Sequence, residues 1–237
     1  TSTKSSTIKS ITLNGTRQAV LRTAKSIFRS GLVSTTSGNV SMRVSPPEQT
    51  SSMAITPSST SYENMTLGQI VVVDFFGEPI WGNSIPSSES LMHGAIYAAR
   101  PDVNAIIHTH SIYATSLAVA GLAIPALIDE MVIYLGDSIR VANYGFPSSE
   151  ELANGVVEAL GERNAVLMKN HGVVVVGNTM PEALNLCHLV EHLAHIYFNV
   201  KSLGIDSSLD PSVLDTELTL FKMRQKMKLS DGSPSVK

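Results

Sequence analysis

A few side chains in this 237-residue chain have the type and setting that metal chemistry requires. The stretch Ala105 to Ser111, AIIHTHS, places His108 and His110 two apart at the end of an apolar run. Residues two apart in an extended chain point to the same face, so two imidazoles would project side by side from the tip of a buried strand. Zinc accepts imidazole and carboxylate, and a catalytic site holds it with about three protein ligands plus an open position. Sequence neighbours cannot surround an ion by themselves, so a third ligand must come from a distant segment. His171 in KNHG suits this, because it ends another apolar run and Gly172 would let the backbone turn beside it. Glu89 in PSSES, at the first turn of an expected helix, offers a carboxylate. From spacing alone, the arrangement is either a metal grip or a set of ordinary strand-end imidazoles.

A rival pattern lies further on. HLVEH, His188 to His192, matches the His-x-x-Glu-His order of inverted zinc peptidases, and its two histidines four apart would share a helix face. Leu189, Val190, Leu193 and Ala194 make the same segment read as a packed helix, with nothing nearby to supply further ligands. His93, four residues after Glu89, is either a support for that carboxylate or a plain helix histidine. His195 has a weaker case still.

TSGN, TPSSTS and PSS are separate segments rich in hydroxyls and turn backbone. Free N–H groups at turns and helix N-termini bind phosphate without many cations, although capping is the commoner work of Ser and Thr. Ser87 and Ser88 sit just ahead of the helix that carries Glu89. Next to a metal site, such loops point to a small phosphorylated substrate.

The elements that must hold these groups follow from patterning. A helix is predicted over 16–30, with Thr16 as N-cap and Gly31 as stop. TSGNVSMRV reads as a turn into a strand, MAIT as a strand, and IVVVDFFGEPIW as a hairpin turning near Gly77. Helices are expected from Ser88 to Arg100, from Ser111 to about Gly121, from Ser148 with Glu151 as capping box, and from Thr179 with Glu182 likewise. AVLMKN and VVVVG are strands flanking His171, and Asp210-Pro211 opens a final helix. Strands joined by tight turns, without strict βα alternation, predict a mixed, largely antiparallel sheet with helices on its faces. One domain over 1–237 is expected, with polar mobile ends at about 1–12 and 228–237.

The length suits one generous domain or two small ones, and the bulk numbers agree with a globular chain rather than a disordered one. Hydrophobic residues make up 43% and charged residues 16%, and the net charge of −3 without a basic cluster argues against nucleic acid. No apolar run approaches the roughly 20 residues of a membrane span, and TSTKSSTIKS lacks the apolar stretch of a secretory signal. With Cys187 as the single cysteine there is no internal disulfide, and a reducing, cytoplasmic setting is expected.

Taken in order, SGNVS, TPSS, PSSE followed by His93, ARPDVNAIIHTH and NHG resemble the class II aldolase/adducin family over residues 16 to 201, nearest its L-fuculose 1-phosphate aldolase group. The resemblance implies a three-layer α/β/α fold and Zn2+ on His108, His110 and His171, with Glu89 as acid/base and able to touch the metal. It implies substrate phosphate contacts from Gly38, Asn39, Ser58, Ser59, Ser87 and Ser88, and a homotetramer with sites at subunit interfaces. The implied reaction is reversible cleavage of a ketose 1-phosphate, above all L-fuculose 1-phosphate, to dihydroxyacetone phosphate and L-lactaldehyde. Zinc would stabilise the enediolate as a Lewis acid, with Glu89 transferring the proton.

Departures touch the aldehyde end. Ser59 stands where aldolases commonly have Gly, Asp129 stands where well-studied aldolases have a tyrosine proton donor, and no tyrosine follows Tyr197. Within the family a pentulose-phosphate 4-epimerase shares the IIHTHS strand, but epimerases carry Asp where Glu89 stands. A sugar-phosphate dehydratase or decarboxylase is a further alternative. A non-catalytic adducin-like interaction module is the reading from another class.

Overall fold

The computed structural model describes residues 2–44 and 51–231, with side chains for 13–44 and 51–227. Its strands are β1 (Asn39–Arg43), β2 (Ser52–Ile55), β3 (Val71–Asp74), β4 (Pro79–Trp81), β5 (Ala105–Thr109), β6 (Arg140–Ala142), β7 (Ala165–Met168) and β8 (Gly172–Gly177). They form one sheet in the order β4-β3-β2-β1-β5-β8-β7-β6. Every pairing is antiparallel except β6 with β7. The mixed, largely antiparallel sheet expected from the tight turns is therefore present.

The helices are α1 (Ser2–Arg29), α2 (Ser90–Ala99), α3 (Ile112–Ala120), α4 (Asp129–Leu135), α5 (Glu150–Leu160), α6 (Met180–Ser202) and α7 (Pro211–Asp231). Two apolar clusters, one on each sheet face, make the three layers. Val20 and Ile27 of α1, Leu117 of α3 and Leu193 of α6 pack on Ile107 and Val175. Ile96 of α2 and Val156 and Leu160 of α5 pack on Ile106 and Val176 across the sheet. Strand alternation assigns the faces: Ile107 and Val175 look one way, Ile106 and Val176 the other. Among the described residues no helix is long and apolar enough to cross a membrane.

Several local expectations are corrected. The first helix begins at Ser2, well before Thr16, so its backbone covers 2–12; residues 1 and 232–237 of the expected polar ends lie outside the described residues. The cap of α5 is Ser149, whose hydroxyl accepts from Leu152 N, while Ser148 sits in a left-handed conformation at φ 70°. Thr179 caps α6 as expected, but the Glu182 carboxylate reaches the N–H of Asn178 instead of its own N-cap. Neither α4 nor β6 was legible, because α4 is a short helix and β6 a three-residue edge strand.

Candidate metal centre and active site

The end of β5, the start of β8, the start of β1 and the N-terminus of α2 meet at one edge of the sheet. Asn39 stands opposite His108 in the β1–β5 register, and Thr109 opposite Val173 in β5–β8. His108 shares parity with Ile106, so its ring faces the layer occupied by α2 and α5. That layer brings Glu89, the N-cap residue of α2, to within 3.3 Å of His108 Nε2 and 3.1 Å of His171 Nε2. His108 and His110 approach at 3.0 Å between their Nε2 atoms, and the ligand atoms of His108, His110 and His171 all lie within 4.8 Å of one another. Glu89 is thus at the N-cap and not, as expected, inside the first turn; its side chain caps nothing and is free to face the imidazoles.

The turn that delivers His171 differs from expectation. Asn170, at φ 56°, takes the left-handed position between β7 and β8, a conformation Asn tolerates better than most residues. Gly172 is needed for space. A Cβ there would lie 2.5 Å from the Thr109 carbonyl oxygen and 2.8 Å from His110 Cδ2.

Electrostatics keep the cluster ready for a cation. His108 Nδ1 lies 2.9 Å from the Val173 carbonyl oxygen, which only accepts, so Nδ1 donates and Nε2 faces the cluster. Burial, reinforced by His108 and His171, pushes His110 down to about 4, and burial with His108 also lowers His171. Burial opposes ionisation of Glu89 most strongly, yet His108, His171 and the Asn39 amide together outweigh it and hold the carboxyl below its usual range. Metal binding needs an ionised carboxylate and imidazoles that give up their second proton, and the downward shifts of Glu89, His110 and His171 run in that direction. Glu89 Oε1 and His171 Nδ1 are buried with no hydrogen-bond partner among the described residues, and Oε1 aims into the imidazole cluster. A buried carboxylate oxygen without a hydrogen-bond partner, set among three ring nitrogens, fits a cation at their centre.

The hydroxyl-rich loops lie at the same edge. Ser58 N donates to Ile85 O at 2.9 Å and Ser87 N to Thr56 O at 3.1 Å, which zips the segments carrying Ser58, Ser59, Ser87 and Ser88 together. Ser59 adopts φ 52°, a left-handed position of the kind glycine favours. Ser87 is buried and its hydroxyl accepts from Glu89 N at 3.3 Å, whereas Ser88 and Ser59 are exposed. Gly38 precedes β1, and its carbonyl accepts from Tyr62 OH at 2.6 Å. Asn39 is buried, and its Nδ2 donates to Glu89 Oε2 at 2.7 Å while Oδ1 sits 2.5 Å from His93 Nε2. One Nδ2 hydrogen is therefore committed to the carboxylate. Asp129 is exposed at the start of α4.

The HLVEH segment has another duty. Glu191 accepts from Tyr113 N at 2.9 Å and Ala114 N at 3.0 Å, capping the N-terminus of α3, while His188 and His192 are exposed. His108, His110 and His171 form the metal-capable group among the described residues, and the peptidase pattern forms none. His195 stacks on Tyr113 at 3.9 Å between ring centroids.

A sheet of this topology, with a histidine triad and a carboxylate at one edge, defines the class. The family model for the Class II Aldolase and Adducin N-terminal domain matches residues 18–198, and the chain belongs to that family. It is a class II aldolase, a lyase, by its relatives. It is 37% identical over 203 residues to the 5-methylthioribulose-1-phosphate/5-deoxyribulose-1-phosphate aldolase of Escherichia coli O45:K1, covering 86% of this chain and 91% of that one. It is 35% identical over 184 residues to the L-fuculose phosphate aldolase of Escherichia coli K12, covering 78% and 83%. A solved L-fuculose 1-phosphate aldolase superposes with a TM-score of 0.81 at 33% identity, over 88% of this chain and 96% of that one.

Proposed function

We propose that the protein is a zinc-dependent aldolase that splits a ketose 1-phosphate reversibly into dihydroxyacetone phosphate and a short aldehyde with an apolar end. The observation that carries this reading is the meeting of His108, His110 and His171 with the orphaned Glu89 oxygen at one sheet edge. Zinc is the ion of choice because borderline Zn2+ suits an imidazole set with a carboxylate. When bound there, it would supply Lewis-acid stabilisation of the negative oxygen that develops beside the breaking bond.

The chain's own residues supply the rest. Glu89 would take a proton from the carbon next to the ketone in the addition direction and return it in cleavage. The zipped loops bearing Ser58, Ser59, Ser87 and Ser88, with Gly38 and the remaining Nδ2 hydrogen of Asn39, would hold the phosphate and orient that carbon. Relatives named for L-fuculose phosphate, 5-deoxyribulose 1-phosphate and 5-methylthioribulose 1-phosphate share one chemical trait. Each of those sugars lacks a hydroxyl on the end carbon farthest from the phosphate. We therefore place the substrate among such deoxy or thioether-ended ketose 1-phosphates, with L-fuculose 1-phosphate as one member. Assembly as a homotetramer with sites at subunit interfaces is part of the same reading. Phe76, Phe146, Leu203 and Ile85 are 72–80% exposed, and Ile85 lies two residues before Ser87.

The test is a panel of those three ketose 1-phosphates with zinc-loaded protein, wild type and Glu89→Gln. Dihydroxyacetone phosphate should appear, and kcat should fall about 100-fold or more in the variant. Epimerised sugar without cleavage would move the assignment to the epimerase, and protein that retains no zinc after dialysis would favour an interaction module.

A further inference from the structure

We propose that His93 is a positioning residue: a one-way chain of hydrogen bonds from Tyr97 through Ser41, His93 and Asn39 ends on Glu89 and holds its carboxylate still. This rests on Glu89 being the proton-transfer group of the aldolase. His93 is fully buried and lies outside the metal-capable group. Its Nδ1 is 2.6 Å from Ser41 Oγ, which is 2.9 Å from Tyr97 OH, and its Nε2 is 2.5 Å from Asn39 Oδ1.

With a neutral His93 ring, one polarity satisfies these contacts. An amide oxygen facing a carboxylate at 2.7 Å would be repulsive, so Asn39 must present Nδ2 to Glu89 and Oδ1 to His93. An acceptor at Oδ1 requires the proton on His93 Nε2. The neutral ring then accepts at Nδ1, so the Ser41 hydroxyl donates to it. With its proton used, Ser41 accepts from Tyr97 OH; the competing Tyr97 contact, to Asn104 O, is long at 3.5 Å. Burial pushes His93 down to about 3, which keeps the ring neutral and the acceptor at Nδ1 in place. Every donor in the chain thus points towards the Glu89 anion, where charge-assisted hydrogen bonding is strongest.

The register of two elements makes the chain possible. Glu89, His93 and Tyr97 recur every four residues on α2, roughly 6 Å apart along a helix. Asn39 and Ser41 recur every two on β1, about 6.8 Å apart along a strand. The repeats match closely enough for the strand's polar residues to slot between helix residues. A histidine needed only to fill space would require none of this matching.

Two measurements test the proposal. In zinc-loaded protein carrying 15N-labelled histidine, the His93 signal, assigned by its loss in His93→Gln, should show a protonated Nε2 and a bare Nδ1 from about pH 6 to about pH 9. The opposite tautomer or an imidazolium would overturn the chain. In turnover, His93→Phe, which fills the volume without hydrogen bonds, should lower kcat about tenfold or more with KM within about twofold. His93→Gln, able to donate to Asn39 and accept from Ser41, should stay within about threefold of wild-type kcat. Equal losses in both variants, or a lower Tm in His93→Phe with kcat intact, would make His93 merely structural. Should wild type cleave no ketose phosphate, the aldolase assignment fails, and the tautomer alone decides the hydrogen-bond chain.

Discussion

His108, His110 and His171 act as a unit only if their rings converge to within bonding reach of one ion, and single atoms decide that. Gly172 is the tightest point. Its missing Cβ leaves room for His110 Cδ2, which a methyl would approach to 2.8 Å, and for His108 Cε1 at 3.1 Å. Replacing Gly172 with Ala should push these rings apart and weaken binding of the proposed zinc by about 10–100-fold, the range seen when groups orienting ligands are lost. Competition with a chromogenic chelator measures this, and unchanged affinity would show that the rings have slack. Asn170 contributes differently, by accepting the left-handed turn that aims His171 inward.

Helix α2 is the element on which the site depends, and β1 reads it along its length. Asn39 meets Glu89 at the helix start, Ser41 meets His93 and Tyr97 midway, and Arg43 donates to the carbonyls of Tyr97, Arg100 and Val103 at its end. A guanidinium at a helix C-terminus satisfies orphan carbonyls and complements the helix dipole. The other side of α2 presses on backbone. A Cβ on Gly94 would lie 1.9 Å from Phe75 O. In an exposed helix, Gly to Ala usually gains about 1 kcal/mol. Here Gly94→Ala should destabilise by about 1–3 kcal/mol, because the contact is with backbone that cannot step aside. A urea melt gives the sign directly, and a stabilised variant would mean that α2 does not press on the Phe75 backbone just past β3.

At the scale of the whole molecule, stability depends on ties between segments far from the site. Arg163 forks onto Asp137, joining the α4–β6 connection to the α5–β7 connection. Burial resists ionisation of Asp137, but Arg163 outweighs it and leaves the carboxyl below its usual range. A depressed folded-state pKa means this stabilisation is present above the unfolded carboxylate pKa and is lost as pH falls through the folded value. Asp137 is 34% exposed, so solvent screening limits the pair to about 0.5–1 kcal/mol. Asp137→Asn should lower Tm at neutral pH by roughly 1–4 °C. The deficit should shrink towards zero as both proteins are acidified below the carboxylate range. A deficit independent of pH would assign the loss to packing instead.

The sequence by itself determined the candidate ligands and the character of the sheet. His-x-His on an apolar run, a strand-end histidine and a helix-start Glu are local features, and the alternation that puts His108 and His110 on one face needs nothing beyond an extended backbone. Tight turns between apolar runs likewise announced antiparallel pairing. What only the tertiary structure decided was which face each element turns inward. NVSMR alternates polar and apolar residues without saying what covers the polar side, and Asn39 and Ser41 are 3% and 0% exposed because α2 packs over it. Glu191 and His93 show the same dependence. A carboxylate within a peptidase-like pattern became a cap for α3, and His93, which the sequence left as either a support for Glu89 or a plain helix histidine, hydrogen-bonds Ser41 and Asn39. Spacing along one element fixes what can share a face, but the partner across that face comes from 50 or more residues away. Only packing the layers together chooses it.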